Sequence, residues 1–152
     1  MQIVISKTIY SKYRSTIDNI QQFLNQIRSW NKLQTIFNKL PSKLRVNVKT
    51  LPKDMKGRAY GDKQRKLYII EIDPRQPIDS VITTFFHELA HIKQFLVGSL
   101  MYKQNEWFWK KEKYVATAGY QLYLDLPWEI EARDYATKIT TSYHKTFNQT
   151  TI

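Results

Sequence analysis

The sequence predicts an α+β fold in a single domain, on three observations. Apolar residues recur at helical spacing from Ile78 to Val97. Leu44, Val46 and Val48 alternate, and Leu67 to Ile72 is a β-branched and aromatic run. From Pro127 a second helical periodicity carries the chain toward its end. A length of 152 residues suits one domain with its own core, and a hydrophobic fraction of 42% agrees. No repeat, linker or second domain is evident, so residues 1–152 are read as one unit.

Taken in order, Ile3 to Ile9 has the composition of a strand that could join a small sheet. Ser15 or Thr16 is positioned to cap an N-terminal helix whose apolar residues Ile17, Ile20, Leu24, Ile27 and Trp30 keep helical spacing. The alternating Leu44, Val46 and Val48 give a strand, Gly57 to Asp62 breaks and turns, and Leu67 to Ile72 is a strand ended by Asp73-Pro74. These make a small, mostly antiparallel sheet. Its partner is the helix from Ile78 to Val97, with Asp73, Pro74 and Pro77 before it and Gly98-Ser99 after it. At about 100° per residue, Ile78, Val81, Phe85, Leu89, Ile92 and Leu96 form the stripe that faces the sheet. Residues 99–126 carry Tyr102, Trp107, Phe108, Trp109, Tyr114, Tyr120 and Tyr123, aromatics that close a core or lid before they serve substrate recognition. The last helix starts near Pro127, with Ala132, Tyr135, Ala136, Ile139 and Tyr143 on its core face.

The chemistry lies in Phe86-His87-Glu88-Leu89-Ala90-His91. Helical residues i and i+4 sit one above the other, so His87 and His91 can reach one metal ion while Glu88 faces a water molecule. Both histidines avoid the apolar stripe and share a polar one with Thr83, Thr84 and Gln94. A catalytic Zn²⁺ takes three protein ligands and keeps one position open. Position 94 is Gln and position 97 is Val, so the metzincin continuation, which supplies a third His, is absent. There is no cysteine, which leaves His144 and the later carboxylates. In Asp125-Leu126-Pro127-Trp128-Glu129-Ile130-Glu131, Glu129 lies about 60 to 70° from the centre of the core face and Glu131 about 90 to 100° away on the other flank. Glu129 is the better-placed ligand, and Glu131 is solvated or in an outer position. Both also suit the positive end of a helix without any metal. His144 is about 22 Å further along the same helix and cannot share an ion with Glu129.

On His87, Glu88, His91 and Glu129, with the small Ala132 three positions later, the chain resembles the gluzincin zinc peptidases, and most of all their small single-domain members, the minigluzincins. The run Pro127-Trp128-Glu129-x-Glu131-Ala132 is similar to uncharacterised metallopeptidases of phages and other mobile elements. The resemblance covers residues 78–140 and implies a zincin-like fold, a Zn²⁺ cofactor and peptide hydrolysis with Glu88 as general base. It also implies that an edge strand beside the metal helix pairs with extended substrate, with Gly57 to Tyr60 and Lys66 to Ile70 as the candidates. Many gluzincins carry an acidic residue four positions after the ligand glutamate, where this chain has Arg133, so the residue that orients the histidines is open. Tyr120, Tyr123 and His144 are the candidates for polarising an oxyanion.

Charge supplies a competing expectation. With 24 basic against 13 acidic residues the formal charge is +11. A basic surface with interleaved aromatics suits nucleic acid or an acidic protein, and a zinc would then be structural or absent. The basic residues are spread over Lys39 to Lys66 and Lys103 to Lys113 without a recognised DNA-binding motif. The apolar stretch at Met1 to Lys7 is too short for a signal peptide and nothing approaches a membrane span, so a cytoplasmic monomer is expected, in the host cytoplasm for a viral protein.

Overall fold

The computed structural model describes residues 1–114 and 123–147. The elements are β1 (Gln2–Ile5), α1 (Lys7–Lys12), α2 (Arg14–Arg28), α3 (Asn31–Lys39), β2 (Arg45–Val48), β3 (Gly57–Asp62), β4 (Leu67–Ile72), α4 (Ile78–Val97), β5 (Leu100–Lys103), β6 (Glu106–Trp109), β7 (Glu112–Tyr114) and α5 (Pro127–Phe147). The architecture is α+β, and no helix among the described residues is long and apolar enough to cross a membrane.

The first sheet has the order β1-β2-β4-β3. It is not mostly antiparallel as expected. β1 runs parallel to β2 (Gln2 opposite Arg45) and β2 parallel to β4 (Arg45 opposite Ile69), while only β3 and β4 form an antiparallel pair. A parallel pair needs a long crossover, and α1 to α3 provide one between β1 and β2. Expecting Ile3 to Ile9 to be extended was right only as far as Ile5. Ser6 then accepts a hydrogen bond from the Ile9 N–H at 3.2 Å and starts α1. Ser15 and Thr16 do not cap the next helix, because α2 already begins at Arg14. Its first turn is satisfied by backbone, with Tyr13 N–H donating to Ile9 and Ile17 N–H to Tyr13. Trp30 lies beyond α2, in the corner before α3, where it is buried against Phe86 and Tyr143.

The helix from Ile78 to Val97 forms over that span and ends at Gly98, whose φ is 80°. It is buried around most of its circumference rather than along one stripe. Phe85 faces the core with Val46, Ile70 and Ile72, while Phe86, on a neighbouring face, packs with Trp30 and Tyr143. Phe23 from α2 sits among them, edge-on to Phe85, Phe86 and Tyr143 at 5.2–5.6 Å between ring centres. This aromatic cluster fixes α5 against α4 at the C-terminal end of α5.

Gly57 to Asp62, expected to break the chain, is strand β3. Residues 57, 59 and 61 share one face of it and are Gly, Ala and Gly. A Cβ at position 57 would lie 2.6 Å from Thr84 Cγ2 and 3.2 Å from Glu88 Cγ, and one at position 61 would lie 2.7 Å from the Phe95 side chain. The glycines therefore mark a close approach between backbone and helix. Residues 99–114 also hold unexpected structure, the antiparallel meander β5-β6-β7. Its two turns, Gln104-Asn105 and Lys110-Lys111, have positive φ at both central residues, from 49° to 74°. Without a glycine they lack the usual hairpin signature.

Gly61→Val should lower unfolding stability by about 1–3 kcal/mol through overpacking. Tyr60→Ala, on the opposite face, should change it far less. A urea midpoint equal to that of the unmodified chain for Gly61→Val would refute the close packing of β3 on α4.

Candidate metal centre

Helical geometry brings the two imidazoles together. Their ring centres are 4.8 Å apart at 83°, and His91 Nε2 lies 3.2 Å from His87 Nε2. Glu129 enters from the first turn of α5, with Oε2 at 2.9 Å from His87 Nε2 and Oε1 at 3.1 Å from His91 Nε2. These three side chains form a cluster that could hold a metal ion. A tetrahedral ion with bonds of 2.0–2.1 Å separates its ligand atoms by roughly 3.3 Å, close to the spacing here. His144, which lies against the Tyr143 ring near the end of α5, is outside the cluster.

The hydrogen bonding around His91 decides its tautomer. Gln94 Nε2 donates to the Trp128 carbonyl at 3.0 Å and to Glu131 Oε1 at 3.2 Å, which leaves Gln94 Oε1 facing His91 Nδ1 at 2.8 Å. An amide oxygen only accepts, so Nδ1 carries a proton, which leaves Nε2 to hold a second proton against Glu129 or, in the neutral ring, to offer its lone pair to a metal ion. Gln94 thus orients the histidine, a role that the sequence left open. Its signal was there, since it lies three residues after His91 on the same polar stripe. Glu131 is exposed and touches Gln94, not the cluster. Arg133 donates to the Leu124 carbonyl at 2.5 Å, which ties down the approach to α5.

Trp128 seats the start of α5. Its ring meets Trp107, Trp109 and Tyr114 of the meander at 4.9–6.1 Å, and it is buried with Leu100 and Leu126. The aromatics that read as a core or a lid therefore hold the residue next to Glu129. Tyr123 donates its hydroxyl proton to Glu129 Oε1 at 2.8 Å, and Tyr120 lies outside the described residues.

The electrostatics follow from burial against hydrogen bonding. Burial alone would raise the pKa of Glu129, but hydrogen bonds from His87, His91 and Tyr123 outweigh it and hold the carboxylate far below its usual range. Burial opposes a charged His91, yet the hydrogen bond and charge of Glu129 win and raise its pKa. Glu88 is different. Burial raises its pKa against the opposing charges of His91 and His87, and its carboxylate forms no hydrogen bond with the described residues. It sits 8% exposed beneath Gly57.

Of the two segments expected at a substrate edge, Gly57 to Tyr60 lies in β3, the outer strand beside α4. Lys66 to Ile70 falls largely in β4, which is paired on both sides, so no edge is open there. Comparison with protein families, with curated proteins and with solved structures finds no match to this chain.

Metal-free protein titrated with zinc should saturate near one equivalent. Glu129→Ala should weaken binding strongly, and Gln94→Leu about 10- to 100-fold, the usual cost of losing a ligand's orienting partner. Glu131→Ala should change it little, and a larger loss there than for Glu129→Ala would refute the ligand set. The raised pKa of His91 fixes the direction of the pH dependence. In the metal-free protein its stabilisation is complete below the unfolded pKa of about 6.5 and is lost as pH rises through the folded value. Zinc requires the neutral ring, so zinc affinity should rise with pH over the same window. Melting temperature and zinc affinity measured across that window should trend in opposite directions.

Proposed function

We propose that this chain is a zinc-dependent peptidase with a zincin-like fold of the gluzincin kind, in which His87, His91 and Glu129 hold the ion and Glu88 is the general base. The carrying observation is the pairing of two unlike carboxylates, Glu129 bonded to both histidines and Glu88 buried beside them without a hydrogen bond to any described residue. A structural site would need only the first of them. Zinc, when bound, supplies Lewis acidity that acidifies water and polarises a carbonyl.

The rest of the work falls to the protein. Glu88 takes a proton from the attacking water as its oxygen bonds to the scissile carbonyl carbon, and delivers that proton to the amine as the C–N bond breaks. Its raised pKa, set by burial, suits a group that must accept and then release a proton. Tyr123 is the candidate for steadying the oxyanion. Burial and the charge of Glu129 push its pKa up, so the phenol keeps its proton, and the residue is half exposed. Partly exposed His87 lies on the solvent side of His91. An extended polypeptide laid along β3 would pass directly over Glu88, where Gly57 keeps the strand low.

The charge of +11 favours one other reading, a nucleic-acid-associated or acidic-protein-binding module with a structural ion. Glu88→Gln distinguishes the two. On the peptidase reading this variant keeps its zinc and its fold while turnover of an unfolded polypeptide drops at least about 100-fold. Tyr123→Phe, assayed at saturating zinc because the phenol also bonds the ligand Glu129, should lower kcat with KM unchanged. Zinc-loaded wild type that cleaves nothing in a broad peptide library, yet binds DNA with steep salt dependence and ignores Glu88→Gln, would favour the binding module.

A further inference from the structure

Away from the metal cluster, α3, α4 and α5 surround a cavity of about 230 Å³. Its apolar lining includes Ile36, Leu96, Val97 and Ile139, and Val97 at the end of α4 is 57% exposed. Lys32, Lys39 and Lys93 stand around it. None of the three forms an ion pair with the described residues, whereas Lys49, Lys113 and Lys138 all meet carboxylates. Lys32 donates to the Ser142 hydroxyl at 2.9 Å, and Lys93 lies over the Tyr135 ring at 5.7 Å. Three like charges thus ring an apolar opening with no ion-pair partner among the described residues.

We propose that this cavity is a docking pocket for an acidic amphipathic polypeptide segment, which seats a large apolar side chain between α3, α4 and α5 and lays carboxylates on Lys32, Lys39 and Lys93. The volume falls below the roughly 300–1,000 Å³ of pockets that enclose a small molecule and suits one or two large side chains. Lys32 and Lys39 are two helical turns apart on α3, about 10.5 Å, a spacing that a helix lying alongside matches with carboxylates at i and i+7. Nucleic acid fits less well, because Tyr135 is the one aromatic among the lining residues and its face is already covered by Lys93. The complementarity is independent of the peptidase reading.

The test uses the full-length zinc-loaded Glu88→Gln protein, so that binding is read without cleavage. The probe is a fluorescein-labelled helical peptide of about 18 residues with Leu at i, i+4 and i+7 and Glu on its flanks, followed by anisotropy. Binding should weaken with salt. It should fall at least about tenfold with Lys39→Glu plus Lys93→Glu, and likewise with Val97→Asp, while circular dichroism melts stay unchanged. Methyl resonances of Ile36 and Ile139 should shift on titration. The proposal is overturned if the lysine and Val97 variants bind the peptide like their parent, if a Lys-for-Glu version of the peptide binds as well, or if dodecanoate or single-stranded DNA, rather than the acidic peptide, shifts those methyls. A chain that binds the peptide as described but hydrolyses nothing would keep this proposal and lose the peptidase one.

Discussion

Three side chains whose electron-rich atoms face one another at 2.9–3.2 Å repel unless positive charge lies among them. The meeting of His87, His91 and Glu129 is therefore the constraint to which the surrounding structure answers. Two helices far apart in sequence must be brought together and kept from relaxing apart. A proton on His91 supplies such charge next to Glu129, which accounts for the raised pKa of His91 and contributes to the depressed one of Glu129. A dication would supply it better, and would displace that proton.

What holds the helices is apolar packing at both ends of α5. Phe23, Phe86, Trp30 and Tyr143 clamp its later turns, and the meander holds Trp128 at its start. Burial of each large aromatic contributes on the order of 1.5–3 kcal/mol, about as much as one hydrogen bond to a charged group, and several such rings act together. Hydrogen bonds add orientation. Gln94 reaches His91, the Trp128 backbone and Glu131 at once, so a single side chain couples ring tautomer to helix position. β3 closes the other side through two glycines, and this close approach covers Glu88 with backbone.

Much of this was legible in the sequence, for reasons specific to each element. The span of α4 was readable because prolines and a glycine bracket a long periodic run, and the convergence of His87, His91 and Glu129 because helical angles alone separate Glu129 from Glu131. The parallel pairings were not legible, since strand direction depends on crossovers that local pattern does not encode. β3 read as a break because its glycines serve packing, which tertiary contact rather than propensity decides. The meander was hidden by turns built from Gln-Asn and Lys-Lys instead of glycine. Gln94 was noticed on the polar stripe but given no role, because an amide acquires one only when the backbone of a second helix arrives within its reach.

The order of the ligands along the chain has a consequence for biosynthesis. Glu129 follows His87 by 42 residues. At roughly 5–20 residues per second, the ribosome releases the two histidines and Glu88 some 2–8 s before the third ligand. Throughout that interval the nascent chain offers only a two-histidine site with no closing carboxylate. Segments of the chain that emerge before Glu129 are thus exposed to an incomplete cluster, never to a closed one.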